Sequence, residues 1–135
     1  MPRWLGEGFR TEHYDDATLR RVLVTTMGDI PVGVARQFLG WIARGRWDSG
    51  DRAADYRAGL ARVTVPTLVI AGDRDRLARP ASVRAGYEGL GAAERAFVEV
   101  GPEGGAHAHY DHLDLILGRR ADEEVFPHVL AWLDR

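Results

Sequence analysis

The sequence predicts an α/β protein built on a parallel βαβ unit with a terminal helix, preceded by a helical segment. Three observations lead there. The apolar run Thr67-Leu68-Val69-Ile70-Ala71, bounded by Pro66 and Gly72, has the pattern of a strand buried on both faces. Ala96-Phe97-Val98-Glu99-Val100, stopped by Gly101-Pro102, reads as a second strand. A helix-length stretch after Pro80 lies between them, and strand, helix, strand implies a parallel pair with a right-handed crossover.

The elements follow in chain order. Up to about Asp15 the chain reads as irregular, because Pro2, Gly6 and Gly8 break any periodicity. Asp16 is placed to cap a short helix carrying Leu19, Val22 and Leu23. After Pro31, Val34, Phe38, Trp41 and Ile42 recur at helical spacing and stop near Gly45. Trp47-Asp48-Ser49-Gly50-Asp51 is turn chemistry, and a further short helix holds Tyr56, Leu60 and Val63. Beyond the first strand, Ser82 to Leu90 reads as a helix with Ser82 as its cap and Val83, Tyr87 and Leu90 on one side. A glycine-rich loop, Gly101 to Ala106, leads to a group of histidines. The last helix spans about Glu123 to Arg135, with acids at its positive end and an apolar stripe of Val125, Val129, Trp132 and Leu133. Pro127 fits it only in the first turn. The chain thus divides into a helical segment, 1–62, and an α/β segment, 63–135, within one structural domain.

Composition narrows the function classes. A length of 135 residues suits one domain with a real core. The 18 basic residues are all Arg, interspersed with acids to a net charge of -2. That balance gives no electrostatic case for nucleic acid or an anionic membrane. The absence of Cys excludes disulfides, thiol catalysis and cysteine–metal sites. No apolar stretch approaches the ~20 residues of a membrane span, and the N-terminus lacks a signal-peptide core, so a cytoplasmic protein is expected.

A carboxylate at the end of a parallel strand stands where α/β proteins bind ligands. Asp73 and Asp75 both qualify, although either can simply close a turn through its own side chain. Asp75 is favoured because Gly72-Asp73-Arg74 forms a turn that presents it. His112, flanked by Tyr110, Asp111 and Asp114, carries the ring suited to general base work near neutral pH. An acid after one strand and a histidine on a later loop reproduce the back half of the Ser…Asp…His order of α/β-hydrolases.

The motifs that carry this order are Val65-Pro66-Thr67-Leu68-Val69-Ile70-Ala71-Gly72-Asp73-Arg74-Asp75 and Tyr110-Asp111-His112-Leu113-Asp114-Leu115-Ile116-Leu117-Gly118. With the helix after Pro80 and the end at Trp132-Leu133, residues 63–135 resemble the C-terminal region of the α/β-hydrolase superfamily. The resemblance implies a partial α/β-hydrolase fold, Asp75 as triad acid, His112 as triad histidine, no cofactor, a small-molecule substrate and esterase-like chemistry. By the same resemblance the earlier helices correspond to a lid, and Phe38, Trp41 and Trp47 are candidates to line an acyl pocket. Aromatics at helical spacing are, however, more often core.

One departure from the family is large. Its nucleophile sits in a Gly-x-Ser-x-Gly turn between a strand and a helix. The two serines of this chain, Ser49 and Ser82, stand in no such pattern. The expectation is therefore a hydrolase fragment or subunit that supplies acid and histidine while the nucleophile comes from elsewhere. Two parallel strands cannot cover both faces and both edges alone, so another chain or a dimer partner is expected to complete the sheet. The alternative from a different class is a non-catalytic remnant or interaction module. A competing chemistry is zinc hydrolysis: His107, His109, Asp111 and His112 spell H-x-H-x-D-H, the signature of the metallo-β-lactamase superfamily. Against it, a glycine-rich loop separates the signature from the preceding strand, and His128 is the only histidine that follows.

Overall fold

The computed structural model describes residues 14, 15, 17, 18, 20, 21 and 28–135, and its architecture is mixed α/β. Helix α1, Val32–Arg44, begins after Pro31 and ends where Gly45 takes a left-handed φ of 62°, with Arg44 beside its negative end. A turn follows in which Tyr56 N–H donates to the Trp47 carbonyl (2.8 Å) and Ser49 N–H to that of Ala54 (2.9 Å). Asp55 caps the one-turn helix α2, Tyr56–Gly59, by accepting the Ala58 N–H, and a 3₁₀ turn continues it through Arg62. Val63, expected within that helix, is extended beyond its end.

Strand β1, Thr67–Gly72, and strand β2, Arg95–Val100, pair in parallel, with Thr67 opposite Arg95 and Gly72 opposite Val100. Helix α3, Pro80–Glu88, crosses between them. Pro80 starts it, where a missing N–H costs nothing. Ser82 lies inside this helix and makes no capping bond, contrary to expectation. The carbonyls at its other end are taken by the Arg95 guanidinium, 3.0 Å from that of Tyr87. Tyr87 packs on Phe97 at 5.5 Å between ring centroids, and the Arg84 guanidinium covers the same Phe97 ring at 4.0 Å.

After β2 a 3₁₀ turn, Pro102–Gly104, leads to the histidine loop and three short helices: α4, Asp114–Leu117; α5, Ala121–Glu124; and α6, Phe126–Leu133. The single terminal helix expected from Glu123 is thus interrupted at Val125, whose φ of -112° is stretched from the ideal helical value. Pro127 explains the break: it has no N–H for a continuous helix, and its ring collides with the preceding turn. In the first turn of α6 the same residue is harmless. Helix α4 was not foreseen.

Val100, Tyr110, Ala121 and Val125 form the core, with Ile70, Val98, Ala106 and Leu115 packed against them. It therefore sits where the C-terminal end of the sheet meets the histidine loop and α5. The expectation of a strand buried on both faces holds only at Ala71 and Gly72; Thr67 to Ile70 are half-buried, because a sheet of two strands leaves its flanks partly uncovered by the described residues. Near the start of the chain, Asp15 accepts the Thr18 N–H at 2.8 Å. The expected cap Asp16, and Leu19, Val22 and Leu23, lie outside the described residues. Among the described residues no helix is long and apolar enough to cross a membrane.

Candidate active site

Asp75 follows β1 by three residues, in a turn closed by its own N–H to the Gly72 carbonyl (3.1 Å). Its side chain is 2% exposed and divides its oxygens between two tasks. Oδ1 accepts the N–H groups of Leu77 and Ala78, both at 2.8 Å. Oδ2 lies 2.7 Å from Nδ1 of His112. The pair expected from sequence is thus brought into direct contact. A carboxylate facing Nδ1 calls for the ring proton there, so in the neutral ring the lone pair resides on Nε2. The His112 side chain is 44% exposed, which leaves the ring accessible from outside.

A second pair stands alongside. Asp73 faces Nδ1 of His109 through Oδ2, and its Oδ1 accepts the Tyr110 N–H at 2.9 Å. This couple was not anticipated, yet two acids spaced i, i+2 and histidines spaced i, i+3 were its visible signal. Two glycines make room for it. A Cβ on Gly72 would lie 2.5 Å from the Tyr110 carbonyl oxygen, and one on Gly101 would strike the Asp73 carboxyl. Asp73 and His109 also border a cavity of about 410 Å³ shared with Arg74, Glu99 and Glu103.

The histidine loop is held from its far side as well. Asp114 is fully buried and accepts the Asp111 N–H at 2.8 Å, while Asp111 accepts the N–H of His112 at 3.2 Å. Burial, and then Asp114 beside it, push the Tyr14 phenol far above its ordinary range, so this hydroxyl stays protonated. Arg119 donates to the Tyr14 carbonyl at 2.9 Å and ties the segment down. Glu124 gathers the remaining groups: the His107 ring (2.8 Å), the Tyr110 hydroxyl (3.0 Å) and Arg120 Nε (2.8 Å). Burial alone would raise the Glu124 carboxyl, but the bonds from His107, Tyr110 and Arg120 outweigh it and hold it low. Burial, then Glu124, pushes the Tyr110 phenol up.

The H-x-H-x-D-H run does not converge. His107 turns to Glu124, His109 to Asp73 and His112 to Asp75, while Asp111 accepts a backbone N–H. Among the described residues no group of three or more His, Asp or Glu is arranged to hold a metal ion. The aromatic candidates lie elsewhere too. Trp41 is half-buried, donates from Nε1 to the Asp48 carbonyl at 2.7 Å and meets Phe38 and Tyr56 edge-on. Phe38 is 58% exposed. Trp47 borders a cavity of about 190 Å³ with Arg57, Leu60 and α3. Neither Asp75 nor His112 lines that cavity. Neither serine bonds to the pair: the Ser49 hydroxyl is committed to Asp51 and to the Ala54 N–H, and Ser82 borders the cavity beside Trp47.

No protein-family model matches this chain, and neither a curated protein nor a solved structure matches it.

Proposed function

We propose that this chain carries the acid and base of a Ser–His–Asp hydrolase of α/β-hydrolase type, esterase-like in chemistry, with the nucleophile supplied from outside these 135 residues. The observation that supports this most is the Asp75–His112 contact at 2.7 Å, with the acid buried and the ring reachable. In this reading Asp75 holds the Nδ1–H tautomer and stabilises the imidazolium. Nε2 of His112 takes the proton of an approaching serine hydroxyl and later returns it to the leaving alcohol. The oxyanion donors belong to the nucleophile turn and to an earlier loop of such hydrolases, and are not assigned to residues of this chain. Helix α1 and the turn after it serve as the lid, and the open sheet is completed by another chain or by further hydrolase sequence.

The experiment joins this chain to an upstream reading frame encoding a strand, Gly-x-Ser-x-Gly and a helix. The joined protein is expected to hydrolyse p-nitrophenyl acetate and to lose about 10³-fold or more of that rate in His112→Ala. Unchanged activity in His112→Ala ends the proposal. The chain by itself is expected to show no serine labelling by a fluorophosphonate, since neither Ser49 nor Ser82 is hydrogen-bonded to His112.

A second reading, an interaction module without catalysis, is favoured by one specific observation. The α1 residues Val34, Phe38, Leu39 and Ile42 are all exposed. Light scattering tests self-association through this face: a monomer at all concentrations argues against a sheet or a face completed by a second copy, and Phe38→Ser leaving a dimer intact argues against α1 as its seam.

A further inference from the structure

We propose that Asp73 and His109 form a positioning couple that sets the register of the histidine loop against the β1 turn, and so delivers His112 to Asp75. The inference rests on reading Asp75 and His112 as the acid–base pair.

Asp73 spends both carboxylate oxygens across the gap to the loop, on the His109 ring and on the Tyr110 N–H. The next residue completes the clasp: Arg74 N–H donates to the Tyr110 carbonyl at 3.0 Å. Both backbone polar groups of Tyr110 are therefore satisfied by two consecutive residues of the turn, one through its side chain and one through its backbone. Asp73 is itself anchored to the sheet, its N–H donating to the Val100 carbonyl at 3.0 Å. The clasp thus starts from the last bond of the β1–β2 pairing.

The sequence intervals show what the clasp does. The bond from Tyr110 N–H to Asp73 spans 37 residues, as does the contact of Asp75 with His112, while the Asp73–His109 contact and the Arg74–Tyr110 bond span 36 and brace the same register from one residue away. From Asp73 and Tyr110, two residues forward on the turn correspond to two residues forward on the loop. A slip of one position would set Asp111 or Leu113 opposite Asp75 instead of the imidazole, and in the first case two carboxylates would face each other. The bond from Asp111 N–H to Asp114 lies within the loop and α4, so it shapes the loop without fixing its register on β1. The bonds from Leu77 and Ala78 to Asp75 lie within the turn and are equally silent on register. Asp73 is the side chain that joins the two pieces ahead of the working pair. The open face of Gly72 under Tyr110, and of Gly101 beside the Asp73 carboxyl, are what the clasp needs to close.

The test reads the His112 ring in the full chain by ¹⁵N NMR of labelled histidine. The unaltered protein is expected to show a single Nδ1–H tautomer at His112 with a protected ring proton. Asp73→Ala is expected to mix the tautomers and speed exchange of that proton about tenfold, the scale of a lost hydrogen bond to a charged acceptor. Asp73→Asn keeps an oxygen for the Tyr110 N–H and is expected to recover part of the effect. His109→Ala, at a partly exposed ring, leaves the fold in place and is expected to speed exchange about threefold. A folded Asp73→Ala with an unchanged His112 signature overturns the proposal. Should Asp73→Ala fail to fold, an unchanged signature in His109→Ala overturns it instead. Absence of the Nδ1–H tautomer in the unaltered protein removes the acid–base reading itself, a different failure from a signature that is present and indifferent to Asp73.

Discussion

Helix α1 and the histidine loop meet the same problem, how a segment holds its place, and solve it differently. The loop from His109 to Asp114 is tied by polar groups: Asp73, Asp75 and Glu124 each collect two or more bonds, the buried Asp114 accepts the Asp111 N–H, and Tyr110 sits in the core. Helix α1 is longer and regular, yet its apolar face is open, with Ile42 66% exposed. What fastens it is a short set of contacts around Asp48: the Trp41 indole, the Gln37 amide at 3.3 Å and the Arg44 guanidinium at 2.9 Å. Regular secondary structure and tight placement are therefore separate properties here. The irregular segment is the rigidly placed one.

The sharpest way to break this contrast is one substitution made in both regions. Gly72→Ala would put a methyl 2.5 Å from the Tyr110 carbonyl oxygen, and the loop must move. A loss of about 3 kcal/mol is expected by urea unfolding, the upper end for overpacking a tight site. Gly33→Ala in α1 meets nothing within 4 Å and is expected to stabilise by about 0.5–1 kcal/mol, because glycine is a poor helix former. Destabilisation by both would show that α1 is as closely packed as the loop. Asp114→Ala comes next. It leaves the Asp111 N–H unpaired in a buried setting and should cost about 2 kcal/mol, while Asp114→Asn should cost less.

Glu124 gives a pH test of the loop's far anchor. Its carboxyl is held below the ordinary value in the folded state, so its contribution is present above the unfolded carboxylate pKa and is lost as pH falls through the folded one. The stability gap between the unaltered protein and Glu124→Gln should be widest near neutral pH and narrow on acidification through and below the ordinary carboxylate range. A gap that widens in acid would reverse the assigned sign. The smallest effect is expected on α1: Phe38→Ser or Ile42→Ser should change stability by no more than about 0.5 kcal/mol, as for exposed positions generally. A cost of several kcal/mol in the isolated chain would mean that this face is already covered.

Much of the α/β half was legible because its signals are local. The apolar runs flanked by Pro66, Gly72 and Gly101 mark β1 and β2 to within a residue. Pro80 marks the start of α3. The proximity of Asp75 and His112 was also readable, since strand order alone places the two turns at one sheet end. What escaped depended on longer-range detail. Ser82 is a residue type suited to capping, but Pro80 had already begun the helix ahead of it. Pro127 was noticed as awkward, though the sequence does not say whether the helix starts late or breaks; it breaks. The apolar spacing of α1 correctly gives a helix and says nothing about what covers it. The Asp73–His109 couple needed the backbone path of Tyr110, which no spacing rule supplies.

The divided duty of the Asp75 carboxylate has a dynamic consequence. Its Oδ1 is fastened by the amides of Leu77 and Ala78, so its aim persists when the imidazole leaves. A ring that swings outward, takes up a proton or meets a bulky visitor finds the same acceptor on its return. Recovery is then a rotation of one half-exposed side chain, a motion of picoseconds to nanoseconds, with no rebuilding of the turn that receives it.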